Sequence, residues 1–420
     1  MNNKVLLTSA FIVATMGAFA QSGKNSNKTF AITGDGANDY IWMNIRQVDL
    51  SSGQVTNTVF ERSKTGYIMT DVQSKRSTNQ GSTANSNIFA STDYPTGTLV
   101  AAAAFDPNGN KLFFTPMRNG ELRWLDLNEK SATPHFYTLR SDLLKQANPM
   151  DESLNITRMV IGADGYGYAL SNDGNRFLRF STGNKPVITE LGNIIDAEGN
   201  AVSIHNKCSS WGGDMVADAF GKLYVISANH QVFMIDPETR IATHKGAIKN
   251  LPGGYTTNAA AVDAEGMIIV ASATKFDGYY KLKLDDLAAV KMEGSDVRFN
   301  ASDFASGNLL LQKEADAARQ YSMMNSKLPV LEQASAPHIF PNPVTNNTFS
   351  VLFDDMKDGR YSIVVTDLAG RILQTKSVSV AKGAQAERIN LNPRSAKGVY
   401  MVKVLNENKE AVIVEKIVVQ

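Results

Sequence analysis

The sequence predicts an all-β chain: a β-propeller of about six blades, with five or seven also compatible, followed by a small C-terminal β-sandwich. Three observations predict it. Helical periodicity is scarce between the first twenty residues and residue 338. A β-unit recurs there at the spacing of propeller blades. Beyond it, the C-terminal stretch reads by itself as alternating strands separated by turns.

The recurring unit is an Asp, a tight turn closed by Gly, and an apolar strand. It appears as Phe105-Asp106-Pro107-Asn108-Gly109-Asn110 leading into Lys111–Phe114, again as Ala217–Ile226, and again as Val262–Val270. Gly162–Leu170 is a looser copy, and Ser302-Asp303 to Gly307–Leu311 is looser still. The turn glycines Gly109, Gly165, Gly221, Gly266 and Gly307 lie 56, 56, 45 and 41 positions apart by subtraction. Glycine suits this place because closing such a hairpin often requires positive φ.

A second half follows each unit closely: Leu122–Leu127, Phe177–Phe180, Val232–Asp236 and Tyr279–Leu284. Most then turn into an outer strand, as in Asp236-Pro237-Glu238-Thr239-Arg240-Ile241. The N-terminal stretch, with Phe30–Thr33, Ile41–Leu50 and Val55, fits this second half but lacks an inner strand. Residues near 297–312 are therefore expected to complete that unit or sit beside it, locking the ring. A propeller closes because each small sheet buries both faces against its neighbours and the ring leaves few exposed sheet ends. An irregular β-sandwich does not explain four good repeats. Residues 72–98, rich in Ser, Thr and Asn, are expected as a long exposed loop or a poorly ordered insertion. The domain plan is 1–20, 21–314 for the propeller, 315–337 for a linker with room for one further strand, and 338–420.

Lys4, the apolar run Val5–Ala18 and the small-x-small triplet Ala18-Phe19-Ala20 read as a secretory signal peptide cleaved before Gln21. The run is shorter than the roughly 20 residues a membrane span needs, and no later stretch is long and apolar enough. With 42 Lys+Arg against 41 Asp+Glu there is no electrostatic case for nucleic acid or an anionic membrane as partner. The lone cysteine, Cys208, forms no intramolecular disulfide and is expected as a small buried hydrophobe rather than a reactive thiol.

In the C-terminal region, Phe349–Phe353, Tyr361–Val365, Arg371–Thr375 and Val399–Val404 read as strands, with turns at Asp358-Gly359 and Ala369-Gly370. Ile339-Phe340-Pro341-Asn342-Pro343, Asp367-Leu368-Ala369-Gly370-Arg371 and Lys397-Gly398-Val399-Tyr400 precede a final alternating strand. Together these motifs resemble the type A C-terminal sorting domain of the type IX secretion system of Bacteroidota. The resemblance implies recognition by the outer-membrane translocon and a place on the cell surface or outside the cell. It also implies that no residue of the domain does chemistry.

Catalytic signatures are weak elsewhere. His135, His205, His230, His244 and His338 share no zinc-ligand spacing. Asn172-Asp173-Gly174-Asn175 lacks the alternation and distal Glu of a calcium loop, and hairpin-turn chemistry explains it. No GxSxG occurs, and Gly162–Gly167 lacks the helix that a phosphate loop needs, so no cofactor is expected. What remains is topology. Aligning the repeats brings Arg158, Asp214, Asn258 and Asn300 toward the channel mouth, with Trp211 and His205 near its rim. These six are the candidate binding residues, against the plainer reading that Arg158 and Asp214 tie blades together or hold channel water. Trp42 and Trp124 are expected to pack between blades. The leading functional expectation is a surface or secreted binding module for a glycan, peptide or envelope partner. The alternative is a polysaccharide hydrolase or lyase with its site at the channel mouth, and a structural envelope role is a third.

Overall fold

The computed structural model describes residues 27–36, 39–81, 91–146, 148, 150–294, 299–326, 338–344, 346–353, 356–367, 370–381, 385–392 and 397–419. The expected signal peptide, Gln21, Leu368-Ala369 of the sorting motif and residues 327–337 of the expected linker lie outside them. Among the described residues, five sheets of the N-terminal unit each start from an inner strand: Ala301–Ser306, Val100–Asp106, Ile156–Ile161, Asp214–Ala217 and Ala259–Val262. Each inner strand packs against the next in that order, and the last returns to the first. The result is a closed ring of five blades.

Five is the lower end of the expected range, and the reason is local. Ala301–Ser306 pairs antiparallel with Thr29–Thr33, with Ala31 opposite Phe304. Thr29–Thr33 then leads to Asn44–Asp49 and Gln54–Phe60, so the N-terminal unit and the segment after residue 300 are one blade instead of two. Ser302 and Asp303 consequently sit inside an inner strand and not at a hairpin turn, correcting the loosest repeat. The true repeat turns behave as expected. Asp106, Asp164, Asp218 and Asp263 each accept a backbone N–H two residues ahead through Oδ1. Gly165, Gly221 and Gly266 hold φ near +80° (78°, 86° and 85°), whereas in the first turn Asn110 takes the positive φ instead of Gly109.

A ring this small leaves little radius at its axis. Ala103, Ala104, Ala217, Ala260, Ala261 and Ala305 line the axis, and the space left among the inner strands is about 10 Å³, at most one water. Replacing Ala260 by Leu is expected to lower unfolding free energy by about 1–3 kcal/mol through overpacking, read by denaturant unfolding of the full-length protein.

Aromatic side chains fill the wedges between blades. Phe30, Phe60, Tyr67, Tyr94, Phe105, Phe114 and Phe136 form one cluster between the first two blades. Trp124 packs with Phe113 and Phe180 between the second and third, and Trp42 is partly buried in the first wedge. The Ser/Thr/Asn-rich segment is more than a loop. Just before it, Tyr67–Asp71 joins the outer edge of the second blade in parallel with His135–Arg140, and within it Ser77–Gln80 pairs beyond that strand. Its return is pinned from below: the buried Arg123 guanidinium donates to the Tyr94 and Pro95 carbonyls at 2.5 and 2.7 Å, and to that of Thr92. Residues 82–90 of that segment lie outside the described ones. Where a linker and an extra strand were expected, Gln312–Ser326 forms an α-helix. Cys208 is exposed, because it lies on the outward turn of the short helix Lys207–Ser210 and not in the core.

The C-terminal unit is a β-sandwich of two antiparallel sheets. One has the order His338–Phe340, Thr348–Phe353, Gln385–Asn390; the other has Ile372–Val380, Gly359–Asp367, Gly398–Leu405, Ala411–Val419. Alternate residues such as Phe349, Val351 and Phe353, or Tyr400, Val402 and Val404, turn inward to one core. Gly359 opens a strand and is not the turn read from the sequence, whereas Gly370 closes a turn from the Asp367 carbonyl.

Candidate functional site

The channel mouth is the end of the ring at which the inner strands begin, just after Leu99, Asn155, Gly213, Asn258 and Asn300. A short segment stapled to the third blade builds much of it. Asn206 caps the helix Lys207–Ser210 by accepting from Cys208 N and Ser209 N. Gly212 N donates to Asn172 Oδ1 at 2.9 Å, and His205 Nδ1 meets the Asp173 carbonyl at 2.5 Å. Trp211 Nε1 donates to the His205 carbonyl at 3.3 Å, and Lys207 Nζ lies 4.9 Å above the indole.

The six candidates separate into two levels. His205, Trp211 and Asn258 are half-buried at the rim. Arg158, Asp214 and Asn300 are buried beneath it. Arg158 donates to the carbonyls of Ser171 (3.0 Å), Asn172 (3.4 Å), Gly212 (3.1 Å) and Ser210, joining the third blade to the approach of the fourth. Burial lowers its pKa to about 10, opposed by the nearby charges of Asp173 and Asp214, so it remains a cation at neutral pH. Asn300 Nδ2 donates to the Ser272 carbonyl at 3.1 Å, while its buried Oδ1 has no partner among the described residues. Asn258 Oδ1 accepts from Ala273 N at 3.2 Å.

Asp214 is the hub of the axis. Its carboxyl accepts from Met215 N at 2.7 Å, from Ala260 N of the fifth blade at 2.7 Å and from Phe304 N of the first blade at 3.1 Å. Beside it lies Asp303, which was not among the sequence candidates; it accepts from Ala103 N of the second blade at 2.7 Å. Both carboxyls are fully buried. Desolvation pushes Asp214 up to about 7; desolvation and the charge of Asp214 push Asp303 well above the usual carboxylate range. Asp303 Oδ1 meets no N–H donor. It needs none if it carries the proton and donates to Asp214, so one proton is shared by the pair. The signal for Asp303 was present in the sequence: a lone acid at the centre of Ala301-Ser302-Asp303-Phe304-Ala305, too apolar for a turn.

A second polar cluster, also missed, lies on the outer part of the second blade. His135 Nδ1 pairs with Glu129 Oε2 at 2.9 Å, Tyr137 OH donates to Glu129 Oε1 at 2.5 Å, and Thr70 Oγ1 meets His135 Nε2 at 2.8 Å. The parallel strand that brings Thr70 there has no sequence signal of its own.

Residues 338–420 match the profile of the secretion system C-terminal sorting domain. This region is a type IX secretion sorting domain. The sorting domain marks the protein for recognition by the type IX machinery and for export to the cell surface or extracellular space. No curated protein matches the chain. Among solved structures it is similar to PorZ, an essential surface component of the type IX secretion system of Porphyromonas gingivalis, at 14% identity and TM-score 0.32, covering 93% of this chain and 51% of that one. The chain thus spans about half the length of that structure. It is also similar to a putative 6-phosphogluconolactonase from Bacteroides uniformis (13% identity, TM-score 0.33, covering 67% and 71%) and to the WD40 β-propeller domain of Doa1 (14%, 0.29, covering 63% and 64%). Likenesses of this degree carry no argument about activity or ligand. Among the described residues, no helix is long and apolar enough to cross a membrane.

Proposed function

We propose that residues 21–314 form a non-catalytic binding module, joined through 315–337 to the sorting domain at 338–420. Its contact face is the channel-mouth rim, and its partner is an extracellular glycan, peptide or envelope component. The observation that carries this reading is the solid floor of the mouth. Arg158, Asp214 and Asp303 are fully buried there, the two carboxyls accepting backbone N–H groups from three blades, and the far half of the axis beyond them keeps only about 10 Å³ of free space. His205, Trp211 and Asn258 stand half-exposed above that floor, while Arg158, Asp214 and Asn300 act as positioning residues whose side chains are held by the fold beneath. A shallow rim over a closed floor suits contact with a surface or an extended chain better than enclosure of a reacting group.

One observation favours a hydrolase or lyase: a carboxyl near pKa 7 is the kind of group that serves as a general acid. Its full burial behind the rim argues against that use. The test is a thermal-shift panel of polysaccharides and peptides on the full-length protein. A ligand that raises the melting temperature of the wild type, with the shift lost in Trp211→Ala, supports the rim. A shift that Trp211→Ala and His205→Ala both retain refutes it.

A further inference from the structure

The four-stranded sheet of the sorting domain carries apolar side chains at successive positions along its strands: Ile363-Val364-Val365, Val399-Tyr400-Met401-Val402 and Ile417-Val418-Val419. Alternate members, among them Ile363, Val365, Val402 and Ile417, turn into the sandwich core. Their neighbours therefore project from the opposite, outer face. A sheet with one face in water places polar residues there, so this outer face is composed for contact.

Cross-strand pairing lays the outer residues out in rows across all four strands. In one row Ile372 lies opposite Thr366, Thr366 opposite Met401, and Met401 opposite Lys416. In the next, Thr375, Val364, Lys403 and Val414 follow one another. Val364 and Thr366, on a central strand between these neighbours, are only 9% and 6% exposed. Ile372 and Val414, on the two edge strands, are 66% and 51% exposed.

The ionisable side chains of the face are of one sign. Lys403 and Lys416 stand within the two rows, and Arg360 lies opposite Ser379 at one end. Glu415 is opposite Val402 and so belongs to the inner face. Glu407 lies in the loop beyond the Arg360 end, where it accepts from Arg360 N at 3.0 Å. The ion pairs of this sheet, Arg371 with Asp367 at 2.7 Å and Lys376 with Glu387 at 3.2 Å, use other cations. Among the described residues, Lys403 and Lys416 have no carboxylate partner. Each ammonium group stands on an aliphatic stem beside apolar neighbours, Val364 and Val414 for Lys403 and Met401 for Lys416.

We infer that this face is where the type IX machinery recognises the sorting domain, and that the partner there is an acidic protein surface with an apolar centre. Recognition by that machinery follows from the family of residues 338–420, and this face supplies apolar and cationic groups for it. Charge selects among occupants. A second copy of this chain meeting the face about a two-fold axis would set three cations against three, with no acid on the face to offset them. A lipid surface offers phosphate but not the shape that tells one exported chain from another, which sorting needs. Size points the same way. Four strands about 4.8 Å apart, with same-face residues about 7 Å apart along each, make a patch of about 400 Å². A stable complex takes about 800 Å² per partner, so the patch suits the transient encounter of a passing export substrate.

The experiment follows export of the full-length chain in a Bacteroidota host with an active type IX system, comparing the surface and medium fractions with the periplasm. Lys403→Glu/Lys416→Glu and Met401→Thr/Val414→Thr are set against wild type, Lys403→Arg/Lys416→Arg, and Lys357→Glu, which changes an exposed lysine outside the sheet. The purified proteins are checked for melting temperature, sedimentation, and flotation with phosphatidylglycerol–phosphatidylcholine vesicles. Export is expected to fall about tenfold or more in the first two pairs, with full-length protein accumulating in the periplasm. Their melting temperatures stay within about 3 °C of wild type, and the Arg pair and Lys357→Glu are exported normally. Wild-type export of the Glu pair overturns the inference. An equal loss in Lys357→Glu also does, by making net charge the cause. A wild-type dimer that the Glu pair abolishes assigns the face to a second copy, and vesicle binding lost in that pair while export persists assigns it to lipid; either result overturns it. A much larger fall in melting temperature in both pairs assigns the face to packing within the chain and overturns it too.

Discussion

The melting temperature of the full-length protein is expected to fall by about 5–10 °C between about pH 5 and pH 8.5. The cause is the carboxyl pair at the axis. Asp214 and Asp303 have folded-state pKa values raised above the ordinary value of 3.8, Asp214 to about 7 and Asp303 well above the ordinary value. The native state therefore binds more protons than the unfolded chain above pH 4. Stability is then fully present below the unfolded pKa and is lost as pH rises through the folded values. Other carboxylates work in the opposite sense. Hydrogen bonds from Ser51 hold Asp49 below its ordinary value and those from Ser74 hold Asp71 below, so their contribution is lost only as pH falls below about 4. Between these limits the axial pair decides the slope. Asp303→Asn keeps an acceptor for Ala103 N and supplies an N–H to Asp214 without a titrating proton. That variant is expected to be nearly flat over the same range and more stable than wild type at pH 8.5. A wild-type profile that rises toward pH 8.5, or one unchanged by Asp303→Asn, would show that the pair does not govern ring stability.

Arg158→Met is expected to cost about 3–5 kcal/mol of unfolding free energy. The methionine fills much of the volume but leaves the carbonyls of Ser171, Asn172, Ser210 and Gly212 without their buried donor. Those carbonyls belong to two blades, so the loss weakens an interblade joint as well as single bonds. Arg158→Lys keeps the charge but has no planar fork to reach several carbonyls at once, and is expected to recover less than half of the loss. Urea unfolding measures both. A loss below about 1 kcal/mol in Arg158→Met would mean that these carbonyls find water or other donors, and that the guanidinium is free for a different role.

Much of the architecture was legible in the chain because propeller hairpins are local. The Asp-x-x-Gly turns at Asp218–Gly221 and Asp263–Gly266 join strands that are neighbours both in sequence and in space, so the blade period could be read directly. The number of blades was not local. It depends on whether Ala301–Ser306 pairs with Thr29–Thr33 across nearly the whole domain, and both segments are short and apolar enough to stand alone. The same holds for Thr70 and His135, brought together by a parallel pairing that no turn announces. At the mouth, aligning the repeats on their turn glycines found Arg158 and Asp214 at corresponding positions. It missed Asp303 because a glycine at 307 placed that residue in the wrong half of a repeat. Burial, which divides Arg158, Asp214 and Asn300 from His205, Trp211 and Asn258, has no signature in residue type at all.

Binding without conversion, as proposed above, requires that a ligand held by the propeller come back unchanged. The most direct measurement takes the glycan or peptide giving the largest thermal shift, titrates it to saturation on the full-length protein, and analyses the recovered ligand by mass spectrometry after prolonged incubation. Saturable binding with the ligand recovered intact is the predicted result. Recovery of cleaved or eliminated products that no longer form with Asp214→Asn would contradict it and make the channel mouth a catalytic site.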